Sequence, residues 1–187
     1  MVYDKEKSVG KGGICVKILR TWDLKDYDLS WRRFVRKTAR AIIPDDQGRV
    51  AMVRSTTDGF YLFPGGGVKR GESRKEALIR ETREETGLVI IRSSIRELGM
   101  FREVRRSIYP EEIFDQRSYY YAAAVEPQRA ETSLEAYEQK LGFELCYIDP
   151  AEAFAVNIVI AERRGLNFLL RESQMLSDLR DKGICGL

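Results

Sequence analysis

The stretch Gly66-Gly67-Val68-Lys69-Arg70-Gly71-Glu72-Ser73, continued at Arg80-Glu81-Thr82-Arg83-Glu84-Glu85-Thr86-Gly87-Leu88, carries most of what this chain says about itself. Ser73 followed by Glu76 three residues later makes a reciprocal cap and predicts a helix start at Ser73. Gly87 closes that helix, since glycine tolerates the left-handed conformation that ends one. Four residues of helix turn about 400°, so Glu81 and Glu85 stand nearly one above the other, with Glu84 beside them. Clustered carboxylates repel unless arginines or a cation offset them. Arg80 and Arg83 are at hand. Taken alone, a Glu/Arg-rich helix is usually a solvated face, and a Gly-Gly-Gly run is more often a turn than a phosphate cradle. No Gly-Lys-Ser/Thr follows the glycines, so this is not a P-loop.

Composition narrows the chemistry. The 187 residues include no histidine, which removes Ser-His-Asp and Cys-His nucleophile systems, His-ligated zinc and imidazole acid–base catalysis. Carboxylates, amines, hydroxyls, thiols or a bound cation must do any polar chemistry. Hard cations such as Mg²⁺ take oxygen ligands, and a histidine-free site suits them. The formal charge of +3 is uneven: residues 1–40 hold 11 basic against 5 acidic side chains, whereas the remainder is net acidic. The basic leading stretch reads either as a phosphate-attracting surface or as ordinary solvated lysines and arginines. Cys15, Cys146 and Cys185 are odd in number and widely spaced, fitting neither a disulfide framework nor a metal knuckle. The polar start lacks a signal-peptide core, and no apolar run approaches a membrane span. These features predict a cytoplasmic protein with no membrane partner.

Along the chain, residues 1–13 read as a mobile end, and Ile14, Val16 and Ile18 alternate as a short strand would. Trp31 to Ile43 predicts a strand with Ala39, Ala41 and Ile43 on one face. The turn Pro44–Gly48 and return strand Val50–Val53 suggest a hairpin. Phe60–Phe63, Leu88–Ile91, Tyr119–Val125 and Phe143–Ile148 read as further strands, with a charged segment holding Arg102, Arg105 and Arg106 between. Asp149-Pro150 opens a helix, and Phe168, Leu169, Leu176 and Leu179 mark a last amphipathic one. The class is α+β. Residues 1–30 are expected to form an N-terminal extension and residues 31–187 one domain with a C-terminal helix.

The quoted stretch resembles the Nudix box, Gly-x5-Glu-x7-Arg-Glu-U-x-Glu-Glu-x-Gly-U, where U is bulky and aliphatic. Gly66, Glu72, Arg80, Glu81, Glu84, Glu85 and Gly87 match, and Leu88 fills the last aliphatic position. Thr82 departs at the first. The resemblance implies an α/β/α sandwich around a mixed β-sheet, and hydrolysis of a nucleoside diphosphate linked to another moiety. It implies that Glu81, Glu84 and Glu85 bind Mg²⁺ or Mn²⁺, with the Gly66 carbonyl as a further ligand. Arg80 would hold the glutamates and the loop, and Glu72 would steady it. Glu84 is one candidate base; Glu138, with Glu135 behind it, is the candidate from a later segment, though both also read as exposed helix glutamates. Arg102 and Arg105 are candidate phosphate grips and Tyr119 a candidate base-stacking ring, against the alternative of ordinary surface and core residues. The family's downstream substrate markers do not fall in place: Val104 stands at the expected position, and Tyr109 and Pro110 come late. Two other functions fit the same residues, a nucleotide-sensing module without turnover and an RNA 5′-end pyrophosphohydrolase, the latter drawing on the basic N-terminal stretch. The favoured partner is a small nucleotide derivative rather than a nucleic acid, and the family leaves room for a homodimer.

Overall fold

The computed structural model describes residues 16–182. Ile14, Cys15, Cys185 and the 1–13 stretch lie outside the described residues. The central sheet takes β1 (Ile18–Asp23), β2 (Arg32–Ile42), β6 (Arg96–Arg106) and β7 (Glu112–Ala122), in the order β1-β6-β7-β2. β6 and β7 form a long antiparallel hairpin, while β1 and β2 lie parallel to its outer sides, so the sheet is mixed. A smaller antiparallel sheet has the order β4 (Tyr61–Leu62), β3 (Val50–Ser55), β9 (Phe143–Ile148). β5 (Leu88–Ile90) pairs with β8 (Val125–Arg129). The helices are α1 (Arg74–Thr86), α2 (Ala136–Leu141), α3 (Pro150–Arg164) and α4 (Asn167–Lys182).

Strand periodicity decides the layers. Successive side chains of a strand point to opposite faces. Ala39, Ala41 and Ile43, joined by Tyr119 and Tyr121 of β7, pack against Ala77 and Leu78 of α1. The intervening Ile42 and Tyr120, with Phe101 of β6, pack against Met175, Leu176 and Leu179 of α4 and Ala153 of α3. Helices therefore cover both faces, which is the α/β/α sandwich. Each fully buried leucine, isoleucine, phenylalanine or methionine among them contributes about 1.5–3 kcal/mol.

Three expectations change. The Pro44–Gly48 turn forms, but β2 and β3 meet only at the Pro44–Val50 bridge and then enter separate sheets, so they are not a full hairpin. β3 is buried along almost its whole length and needs β4 and β9 on its two sides. The charged segment at 102–106 is the end of an eleven-residue strand, its charges carried by partners across the sheet and on α4. Part of the 1–30 segment, β1, is the edge strand of the central sheet, where Leu19 and Trp22 pack into the core beside Phe101.

Candidate active site

α1 begins where its cap dictates. The Ser73 hydroxyl accepts the Glu76 N–H at 3.2 Å, and the Glu76 carboxylate accepts the Ser73 N–H at 2.8 Å. Gly87 adopts φ of 72° and donates to the Arg83 carbonyl, ending the helix. Before α1, the glycine loop is stitched to β2: Ala41 N–H donates to Pro64 O, Ala39 N–H to Gly66 O, and Val68 N–H to Lys37 O. Gly65 sits at φ of 130°, and a Cβ there would lie 2.1 Å from the Ala39 carbonyl oxygen, so glycine is required. The buried Arg40 guanidinium donates to the carbonyls of Phe63 and Gly65, holding the loop from below.

One guanidinium organises the carboxylates. Arg80 forks onto Glu72 at 2.8 and 3.0 Å, donates to Glu81 at 2.7 Å and Glu84 at 3.1 Å, and reaches the Gly67 carbonyl at 3.1 Å. Hydrogen bonds from Arg80 pull the Glu72 carboxyl down to about 2. Burial pushes Glu81 upward against the pull of Arg80. Glu85 is 5% exposed and accepts the Gly65 N–H at 2.8 Å. Burial drives its pKa to about 8, with Glu138 and Glu81 adding repulsion and Arg40 opposing.

Two of these groups, Glu81 and Glu85, face a cleft of about 390 Å³. Glu81 and Glu85 line it with Gly65, Gly66 and Gly67 on one side. Arg36, Arg40 and Lys69 supply positive charge, and Leu62, Tyr137 and Phe143 an apolar and aromatic wall. The arrangement can accept a polyanion beside a concentrated set of carboxylate oxygens.

The NUDIX domain model matches residues 35–169, more than half of the chain. The chain belongs to the NUDIX family. Over 77 residues it is 38% identical to an RNA pyrophosphohydrolase of Halorhodospira halophila, covering 39% of this chain and 42% of that protein. Over 75 residues it is 37% identical to an ADP-ribose pyrophosphatase of Methanocaldococcus jannaschii, covering 39% and 43%. The matched stretch thus spans about two fifths of the length of these relatives. Among solved structures, a NUDIX hydrolase from Nitrosomonas europaea is similar with TM-score 0.49 and 16% identity, covering 76% of this chain and 90% of that one.

In this NUDIX chain Arg80 holds Glu81 and Glu84, Gly66 lies against Glu81, and Glu85 accepts the Gly65 N–H. Glu138 stands close enough to Glu85 to raise its pKa, and it is 3% exposed rather than a solvated helix residue. Its carboxylate accepts the Glu135 N–H and the Tyr137 hydroxyl, both at 2.8 Å, which caps α2. Glu135 lines the cleft mouth. Arg102, Arg105 and Tyr119 lie elsewhere. Arg102 pairs with Asp115 at 2.7 Å, Arg105 pairs with Glu103 and stacks on Phe114, and Tyr119 is buried under Arg74. None lines the cleft. The cleft's cations, Arg36, Arg40 and Lys69, were not singled out by spacing. An arginine interrupting the apolar run Ala39–Ile43 was the available signal for Arg40.

NUDIX hydrolases generally use divalent metal ions. Among the described residues, no three carboxylates converge on a single point as they stand. The donor set nonetheless fits a hard cation. Its atoms are all oxygens, and the buried Glu85 carboxyl forms no ion pair among the described residues and is repelled by two neighbouring carboxyls. A Cβ on Gly66 would come 2.5 Å from Glu81 Oε2, so glycine keeps that oxygen's approach open. The Gly66 carbonyl keeps one lone pair beyond its bond to Ala39 N–H.

Proposed function

We propose that this chain is a divalent-metal-dependent pyrophosphohydrolase, cleaving a phosphoanhydride in a nucleoside diphosphate linked to another moiety. The observation that carries this reading is the meeting of Glu81 and Glu85 with Arg36, Arg40 and Lys69 in one cleft. Glu81, Glu84, Glu85 and the Gly66 carbonyl would hold Mg²⁺ or Mn²⁺. Such an ion, when bound, would supply charge withdrawal from phosphorus and a more acidic water. Arg36, Arg40 and Lys69 bind and orient the diphosphate, offsetting its charge where the carboxylates alone would repel it. Tyr137 and Phe143 offer apolar surface to the remainder of the substrate.

Proton acceptance falls to a carboxylate near the attacking water. Glu84 is the most exposed of the helix trio, with one oxygen outside the Arg80 contact. Glu138 is the second candidate, held by α2 next to Glu85. Arg80 lies outside that cleft, on the neighbouring surface with Glu72 and Glu84, and acts by fixing the glutamates.

A release assay over nucleoside triphosphates, ADP-ribose, NADH and dinucleoside polyphosphates, each with Mg²⁺ and with Mn²⁺, tests the reading. Metal-dependent cleavage of at least one class is expected. Failure on every class, with no stabilisation by either ion, would overturn it. Ligand-dependent stabilisation without turnover would point instead to a sensing module.

A further inference from the structure

Asp115 of β7 is fully buried and receives more cationic donors than a single carboxylate needs. Arg102 binds it bidentately at 3.0 and 2.7 Å, which by itself satisfies the charge. Arg117 adds contacts at 3.3 and 3.2 Å, and Arg33 one at 3.2 Å. Three guanidiniums thus surround one carboxylate, each side chain about one third exposed. Arg33 also stands against the Tyr27 hydroxyl. Nearby Asp23 accepts from Lys25 N–H and the Tyr27 hydroxyl. Like charges held this close repel, and sheet stability alone does not call for a second and third arginine.

The cluster sits on the sheet face that α1 covers farther along. Val35, whose register partner is Asp115, lies three residues from Thr38, which bridges to Gly67 of the glycine loop. At 3.3 Å per residue that separation is roughly 10 Å. Lys37 is exposed on the same face of β2, and Arg102 Nη1 and Arg117 Nη1 donate to no other described residue.

We infer that Arg33, Arg102 and Arg117, pre-oriented by Asp115, form a second anion site outside the glutamate cleft, and that it takes a phosphoryl group. Guanidinium forks match phosphate oxygens bidentately, and a shared buried carboxylate fixes their planes before any ligand arrives. Free phosphate and the backbone of an oligonucleotide present this same chemistry. The inference is independent of the proposed hydrolysis, because it concerns binding alone.

The test uses the full chain with a fluorescent 5′-hydroxyl oligoribonucleotide, which has no phosphoanhydride, and separately with inorganic phosphate. Arg33→Gln and Arg117→Gln are expected to weaken oligonucleotide binding about 3–10-fold each, and to lower the dependence of log affinity on log salt by about 1. Arg33→Lys, which keeps the charge but loses the planar fork, recovers only part of the affinity lost in Arg33→Gln. Should phosphate alone show the same Arg33 dependence, the site takes free phosphate; dependence with the oligonucleotide only assigns it to the backbone. Binding of both probes that is absent, or unchanged in folded Arg33→Gln and Arg117→Gln, overturns the inference.

Discussion

Arg80 shows how one side chain sets an entire local geometry. Its planar fork satisfies Glu72, Glu81, Glu84 and the Gly67 carbonyl together, which an ammonium cannot reproduce. Arg80→Lys is therefore expected to lower turnover at least about 10-fold while the far-ultraviolet circular dichroism stays native. Glu85 makes the complementary point. Its folded pKa of about 8 lies above the ordinary 4.5, so between these values the folded state keeps a proton that the unfolded chain has lost. Stability then falls as pH rises through that window, and the penalty is complete above it. In chelator-treated protein, Glu85→Gln should raise Tm at pH 9 by at least about 3 °C more than at pH 5. Equal shifts at the two pH values would contradict the buried, charge-strained carboxyl described here.

At the scale of elements, the glycine loop and α1 act as one unit clamped on β2. Position-specific substitutions should separate its parts. Gly65→Ala drives a Cβ into the Ala39 carbonyl and imposes a left-handed φ, so it should lower stability by several kcal/mol. Gly67→Ala meets nothing within 4 Å and should change stability by less than about 0.5 kcal/mol. Gly66→Ala displaces the Glu81 carboxylate, a flexible neighbour, and should show in metal affinity more than in Tm. Urea unfolding of the three variants checks the order. The unit was legible in the sequence because its signals are local: Ser73 with Glu76, the Gly87 cap and the glutamate spacing lie within one turn or two of each other. Glu138 was readable as a residue of interest but not as a buried one, since its burial depends on α2 folding back beside Glu85. Residue type alone points to Arg102, Arg105 and Tyr119, and sheet order, which no local pattern carries, gives each a different neighbour.

For the molecule as a whole, α4 ties the back of the sandwich to the site. Arg171 reaches Glu103 of β6 at 3.1 Å, Asp178 pairs with Arg20 of β1, and Glu172 accepts the Phe63 N–H at 3.1 Å, directly before the glycine loop. The amphipathic pattern of the last helix predicted its apolar contacts. It did not reveal that buried charges would share that face, because their partners come from strands more than sixty residues away. Among the described residues, Arg171→Met leaves Glu103 with only Arg105 and removes the Arg171–Glu172 pair, and should cost about 3–5 kcal/mol, lowering Tm by roughly 10 °C in calorimetry. The central claim is that glutamates on one face of α1 run metal-dependent phosphoanhydride cleavage in the adjoining cleft. Its most direct test is initial-rate turnover of the best substrate with Mg²⁺ or Mn²⁺, comparing the native chain with Glu84→Gln and Glu85→Gln. The account predicts a fall of at least about 100-fold in each variant with the fold intact; near-native rates in both would contradict it.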